Sequence, residues 1–237
     1  MEHTRLLRLT PSRALKERRL LALRGNRGER DPLLRDAVEE AQVVGSLALA
    51  GVRCEVGDVR AARRGEGAPA TVRGLVAALG AVEPEAPFDV RALRAWHATA
   101  LGGDGRFRAE DRAGAGPLPA APAAFVTGRL EILQHWLQVE SSRELSPAQQ
   151  GALVLARVVE IRPFEDGNGR VARLAASHLM VRAGARPPVL VGDDEPRLRQ
   201  ALQAAFQLHT EPLTALLEEA SERGLDVMIQ ILERPGP

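Results

Sequence analysis

The chain has 237 residues, 45% of them apolar and 27% charged, with a formal net charge of +1. These values fit a soluble globular protein of one large domain, or one domain with a small appendage, and carry no global bias toward nucleic acid. Lys16 is the only lysine, which excludes a Walker-type phosphate loop, so any phosphate binding must rest on arginine, backbone amides or a metal.

Aromatic residues make up 3% and tyrosine is absent. A core of Leu, Val and Ala follows, which suits packed helices better than sheets. Cys54 is the only cysteine, so no internal disulfide or zinc cluster is expected. The N-terminus lacks an uninterrupted apolar signal segment, and no apolar run reaches the ~18 residues of a membrane span. A cytoplasmic protein is expected, with no membrane partner.

Residues 1–32 are arginine-rich and read as a basic N-terminal arm with one helical patch around 14 to 24. Its residues suit a solvated amphipathic face or, alternatively, contact with nucleic acid or an acidic partner. The next helix is predicted over 33–51. Asp31 can cap it, Pro32 suits its first position, and Leu34, Ala37, Val38, Ala41 and Val44 recur at helical spacing. Gly51 is a plausible stop.

A weaker helix is predicted near 71–80 and another over 89–101, capped by Asp89. The segment 102–122 is loop-like. Turns on either side of "RFRAEDR" suggest a short exposed β-hairpin there. Helical pattern returns from about 120 to 140. Ser146 and Pro147 open a further helix that Pro163 must end. Another begins near Gly169, and residues 195–223 supply one or two more. Residues 224–237 read as a C-terminal tail.

Between two of these helices stands "RPFEDGNGRVAR", residues 162–173. A helix start presents unpaired N–H groups and partial positive charge, which makes it a ready anion site. Gly167 and Gly169 allow a sharp turn and close ligand approach, and successive amides there can form a nest. Arg170 and Arg173 fall on one helix face and can fork onto phosphate oxygens. Asp166 is the carboxylate that a hard cation would want beside phosphates. Spacing alone leaves open a plain glycine-rich turn with solvated arginines.

The stretch resembles the signature of the Fic family (Fic/Doc, or Fido, fold), H-P-F-x-[DE]-G-N-[GK]-R-x-x-R. Eight of the nine fixed positions match: Pro163, Phe164, Asp166, Gly167, Asn168, Gly169, Arg170 and Arg173. "GDGRFR", containing Gly105, Arg106, Phe107 and Arg108, resembles the segment that opens the family's flap. The resemblance covers about residues 35–220. It implies an all-α Fic-like domain over 33–223 with a short β-hairpin flap. It also implies an enzyme that moves part of a nucleotide, most often AMP from ATP, onto a hydroxyl of a target protein, with phosphocholine or phosphate transfer left open because relatives differ in donor. On that pattern Asp166 holds Mg²⁺, and Gly167, Asn168 and Gly169 cradle the phosphates. Arg170 and Arg173 engage the outer phosphates, and the flap aligns an unknown target protein.

Two positions depart from the family. The first signature residue, a histidine serving as general base, is Arg162. Arginine holds its proton to above about pH 12 and has no acceptor, so it cannot replace histidine. It can act instead as an additional phosphate clamp, or mark decay of an unused site. Glu160, Glu165 and His178 are the other nearby acid–base groups, and each reads first as structural or solvated. Many members also carry an inhibitory helix with [ST]-x-x-x-E-[GN], whose glutamate pairs with the second arginine. Ser46 and Gly51 match the outer positions, but the glutamate position is Ala50. The expectation is a Mg²⁺–nucleotide-binding protein with impaired or altered AMP transfer. A nucleotide-sensing or protein-binding pseudoenzyme is the alternative.

Overall fold

The computed structural model describes residues 11–25, 31–112, 120–139, 142 and 144–234. Among them are ten α-helices and no strand: α1 Pro11–Arg24, α2 Pro32–Ala48, α3 Val56–Arg63, α4 Ala70–Gly80, α5 Val90–Leu101, α6 Val126–Gln138, α7 Pro147–Ile161, α8 Asn168–Arg182, α9 Glu195–Phe206 and α10 Glu211–Glu233.

The capping residues read from the sequence work as caps. The Asp31 carboxylate accepts from Leu33 N at 2.9 Å, and Ser146 and Gln149 reciprocate at the start of α7. The short α3 had no predicted counterpart, because Gly57 stands at its second position and eight residues carry too short an apolar pattern to read. What secures its start is local: Glu55 N donates to the Asp58 carboxylate at 2.8 Å.

The helices α7 and α8 form the centre. Ten of the fifteen residues of α8 are buried, Val171, Ala172, Ala175 and Leu179 among them, so this helix is enclosed on nearly all sides. Packing of this kind, more than helix propensity, holds such an element in place. Trp96 of α5, Leu130 of α6, Leu198 of α9 and Leu217 of α10 complete the same core. A second cluster joins Leu20 of α1, Leu34 and Val38 of α2, and Leu225 and Ile229 of α10.

That second cluster corrects both ends of the sequence reading. The N-terminal helix is not a solvated arm. Leu20 is buried, Glu17 makes a buried ion pair with Arg186 at 2.7 Å, and Lys16 meets Glu222 and Asp226. Residues 224–233 are not tail but the last turns of α10, with Leu225 and Ile229 inside. The predicted hairpin takes no strand conformation over residues 103–112, and its distal part, 113–119, lies outside the described residues.

The buried His178 of α8 meets Trp96 edge-on with centroids 5.3 Å apart. Burial pulls its pKa below the usual histidine value; the Ala86 backbone partly opposes this and Arg182 reinforces it. The folded state then binds fewer protons than the unfolded one as pH falls. The associated stability is complete above about pH 6.5 and is lost below it. The thermal midpoint should therefore drop between about pH 7.5 and pH 5.5, and His178→Leu should shrink that drop. An unchanged drop in the variant would contradict this role.

Candidate active site

The turn between α7 and α8 is built by side chains reaching back to backbone. Arg162 closes α7 in the left-handed region, at φ 49 and ψ 64, with its N–H donating to Val158 O. This region is rare for a residue with a Cβ and is retained where the surroundings dictate it. The following Pro163 disfavours the helical alternative. Asn168 clamps the other side of the turn. Its Oδ1 accepts from Phe164 N at 2.9 Å and its Nδ2 donates to Phe164 O at 2.8 Å. Phe164 is fully buried, stacked on His97 at 3.8 Å and tilted against Phe107 at 5.4 Å. Gly167, at φ 73, enters α8 where a Cβ would lie 2.7 Å from Leu101. Both the left-handed backbone and the close neighbour call for glycine.

The segment resembling the flap opening is largely scaffold at its root. Arg108 is buried. Its guanidinium donates to Arg162 O at 2.7 Å, Glu110 O at 2.7 Å, Ile161 O at 3.3 Å and Ala121 O, while its own N–H donates to Pro163 O. Phe107 packs under the turn, and Gly105 O accepts from Arg94 Nε at 2.9 Å. Only Arg106 of these four projects fully outward, paired with Asp104. Nothing local in the chain marks Arg108 as internal; five donors fanned against converging carbonyls are visible only in three dimensions. Further along, Arg112 reaches over the turn to the Glu165 carboxylate at 2.8 Å.

A cleft of about 570 Å³ opens in front of this turn. Arg162, Glu165, Asp166, Gly167, Asn168, Gly169, Arg170 and Arg173 all line it, as does Arg112. The signature positions from Asp166 on thus converge on one concave surface at a helix N-terminus, the arrangement that favours anions. Arg170 is nearly buried and donates to the Asp166 carboxylate at 3.0 Å, whereas that carboxylate is 83% exposed. Arg173 is held by α2: Nε donates to Ser46 Oγ at 3.0 Å and an Nη donates to Ser46 O at 2.7 Å. Burial, with the charge of Arg170 beside it, pushes Arg173 down to about 10. It remains a cation at neutral pH.

The helix carrying Ser46 is pressed into place from behind. A Cβ on Gly45 would lie 1.7 Å from Leu190 O, so only glycine permits α2 to approach this closely. Ala50 follows one turn later, exposed on the cleft wall. Gly51 turns the chain away at φ 72.

Burial also lowers the pKa of Arg162, with Arg108 and Arg112 adding like-charge repulsion. None of the other acid–base groups stands ready as a base in the cleft. Glu160 pairs with Arg157 and lines a different groove, between α6 and α7. Glu165 is paired with Arg112, and His178 lies in the core.

Comparisons with known proteins bear on the family and the fold. Residues 87–180 match the family model described as the Fic/DOC family. These residues form a Fic/DOC domain. A protein adenylyltransferase Fic from Drosophila mojavensis is 32% identical over 125 residues, which is 53% of this chain and 25% of the relative. The chain thus spans well under half the length of such curated relatives.

Among solved structures, a Fic-domain signaling protein from Bacteroides thetaiotaomicron superposes with a TM-score of 0.78 at 20% identity, covering 94% of this chain and 99% of the other. IbpAFic2, solved covalently tethered to Cdc42, superposes with a TM-score of 0.54 at 16% identity, covering 90% and 72%. At these identities the likeness is one of fold. The all-helical Fic architecture is therefore established beyond the matched segment, and α1 to α4 belong to the same body.

No described helix is long and apolar enough to cross a membrane. No group of three or more His, Cys, Asp or Glu side chains suited to a metal occurs among the described residues. Asp166 is a carboxylate open to the cleft and bound to Arg170, and Glu165 beside it is paired with Arg112. Such a donor fits Mg²⁺ arriving with a phosphate chain, since that ion is commonly held by one or two carboxylates and substrate phosphates. It does not fit a dedicated protein cage.

Proposed function

We propose that this Fic/DOC protein binds a Mg²⁺–nucleotide, ATP or a relative, in the cleft before α8. We further propose that its AMP transfer to protein hydroxyls is impaired by Arg162. The observation that carries this reading is the convergence of Asp166, the Gly167–Gly169 backbone, Arg170 and Arg173 on one cleft.

In this reading the start of α8 offers backbone N–H groups to the phosphates. Arg170 and Arg173 donate to their outer oxygens, and both are preorganised, by Asp166 and by Ser46. Holding charged donors in place beforehand is what electrostatic stabilisation of phosphoryl chemistry requires. Bound beside Asp166, Mg²⁺ would neutralise charge developing on the phosphates. Arg162, on the cleft floor, supplies positive charge but takes no proton from a hydroxyl. A target hydroxyl would therefore keep its proton during attack, which costs the roughly 10²–10⁴-fold that general-base help provides.

Titration calorimetry tests the binding. Heat on adding ATP should depend on Mg²⁺. Arg170→Ala should weaken the phosphate part and Asp166→Ala the metal-dependent part, by a few kcal/mol at most. Folded protein that gives no heat with any common nucleoside triphosphate would overturn the proposal.

The placement of Ala50 yields a second expectation. Ala50→Glu puts a carboxylate on the wall shared with Arg173. It should compete with an outer phosphate for that guanidinium and lower affinity for the triphosphate more than for the monophosphate. Equal affinities in parent and variant would show that position 50 does not reach the phosphates.

A further inference from the structure

The arginines of the cleft fall into two groups, each tied to a different carboxylate of the turn. Asp166 accepts from Arg170 at 3.0 Å, and Arg170 lies beside Arg173 on α8. Glu165 has another partner. Its carboxylate meets Arg112 at 2.8 Å, and its carbonyl O accepts from the same guanidinium. Arg162 belongs with Arg112. The like charges that act on Arg162 are those of Arg108 and Arg112, whereas the one that acts on Arg173 is that of Arg170. Arg108 is buried against backbone carbonyls, so of the two neighbours of Arg162 it is Arg112 that lines the cleft with it. The nucleotide reading uses the α8 pair and assigns no phosphate to Arg162 and Arg112. Yet Arg112 already holds an oxyanion, the Glu165 carboxylate, in a contact whose side chains are 49% and 60% exposed. An exposed pair of this kind is weak enough for an incoming anion to displace.

Resting on the nucleotide reading above, we propose that Arg162 and Arg112 form the acceptor site, and that the acceptor is a phosphate group, orthophosphate or a phosphate monoester, in place of a hydroxyl. The second pKa of such a group is about 6, so near neutrality it presents unprotonated oxygens. One of these attacks the α-phosphorus of ATP. A phosphorus–oxygen bond forms, the bond from the α-phosphorus to the α,β-bridging oxygen breaks, and pyrophosphate leaves with the bonding pair. The attacking oxygen carries no proton, so the step needs no base, and arginine at position 162 is no defect. Orthophosphate yields ADP, and a monoester yields a diphosphate diester. What does oppose the step is repulsion between two anions, and cations placed at the acceptor counter it. A phosphate also suits the two guanidinium groups better than a carboxylate does. Each can take one oxygen, which uses up a carboxylate but leaves a phosphate a third oxygen for attack.

The test supplies the intact chain with Mg²⁺, ATP and either radiolabelled orthophosphate or O-phosphoserine. Label in ADP would assign the free ion and an AMP adduct of O-phosphoserine the monoester; either supports the inference. Arg112→Gln should raise the half-saturating phosphate concentration about tenfold. Glu165→Gln removes the competing carboxylate at an exposed position and should lower it about twofold to fivefold. Arg162→His should cut transfer to phosphate about tenfold or more. No product from either phosphate, with ATP still bound, would overturn this inference alone and leave the nucleotide reading intact. Product formation that Arg112→Gln and Glu165→Gln leave unchanged would also overturn it, as would acetate accepting AMP as well as phosphate does. No binding of ATP would overturn both.

Discussion

Arg162→His is expected to raise transfer of AMP from ATP, self-modification included, by roughly 10²-fold or more over a nearly inactive parent. The reason is confined to one position. Position 162 lines the cleft beside Asp166 and Arg170, and its left-handed backbone is fixed from several directions by Val158 O, Pro163 and Arg108. A histidine there inherits that backbone and points its ring from the same place, with a pKa suited to accepting a proton near neutrality. No glutamate at position 50 blocks Arg173. Labelled ATP and intact-mass spectrometry give the readout. A parent already fully active would mean that arginine serves another mechanism. A variant that binds nucleotide and transfers nothing would favour the reading as a sensing or binding module.

The largest effect on stability is expected at Arg108. Arg108→Met keeps the aliphatic stem but strips the donors from Arg162 O, Glu110 O, Ile161 O and Ala121 O in a buried site. Leaving buried acceptors unpaired costs about 1–3 kcal/mol apiece at the upper end, and relaxation will recover part of it. A loss of about 3 kcal/mol or more in urea unfolding is the expected result, with a lowered denaturant midpoint. Arg108→Lys should recover only a fraction, because an ammonium cannot span four carbonyls as the planar fork does. A loss below about 1 kcal/mol for Arg108→Met would show that the turn is held by Asn168 and Phe164 without it.

The two substitutions separate what the sequence revealed from what it concealed. The helix starts at Pro32, Val90 and Pro147 were legible because each cap acts on its own first turn, within three residues. The convergence of the signature residues on one cleft was legible because one turn and one helix carry them contiguously from Asp166 to Arg173. The burial of Arg108 was not, since its partners lie 13 to 54 positions away in the chain apart from Glu110. The packing of α1 and the end of α10 were hidden for the same reason. Leu20, Leu34 and Ile229 meet only after the chain has closed on itself, and Glu17 gives no hint in sequence of Arg186.

A crystal structure of the protein grown with Mg²⁺ and a non-hydrolysable ATP analogue tests most directly whether this cleft is a nucleotide site. The phosphates should lie over the Gly167–Gly169 backbone, within hydrogen-bonding distance of Arg170 and Arg173, with the metal between them and Asp166. Density for the nucleotide elsewhere, in the groove between α6 and α7 for instance, with this cleft holding only solvent, would contradict it.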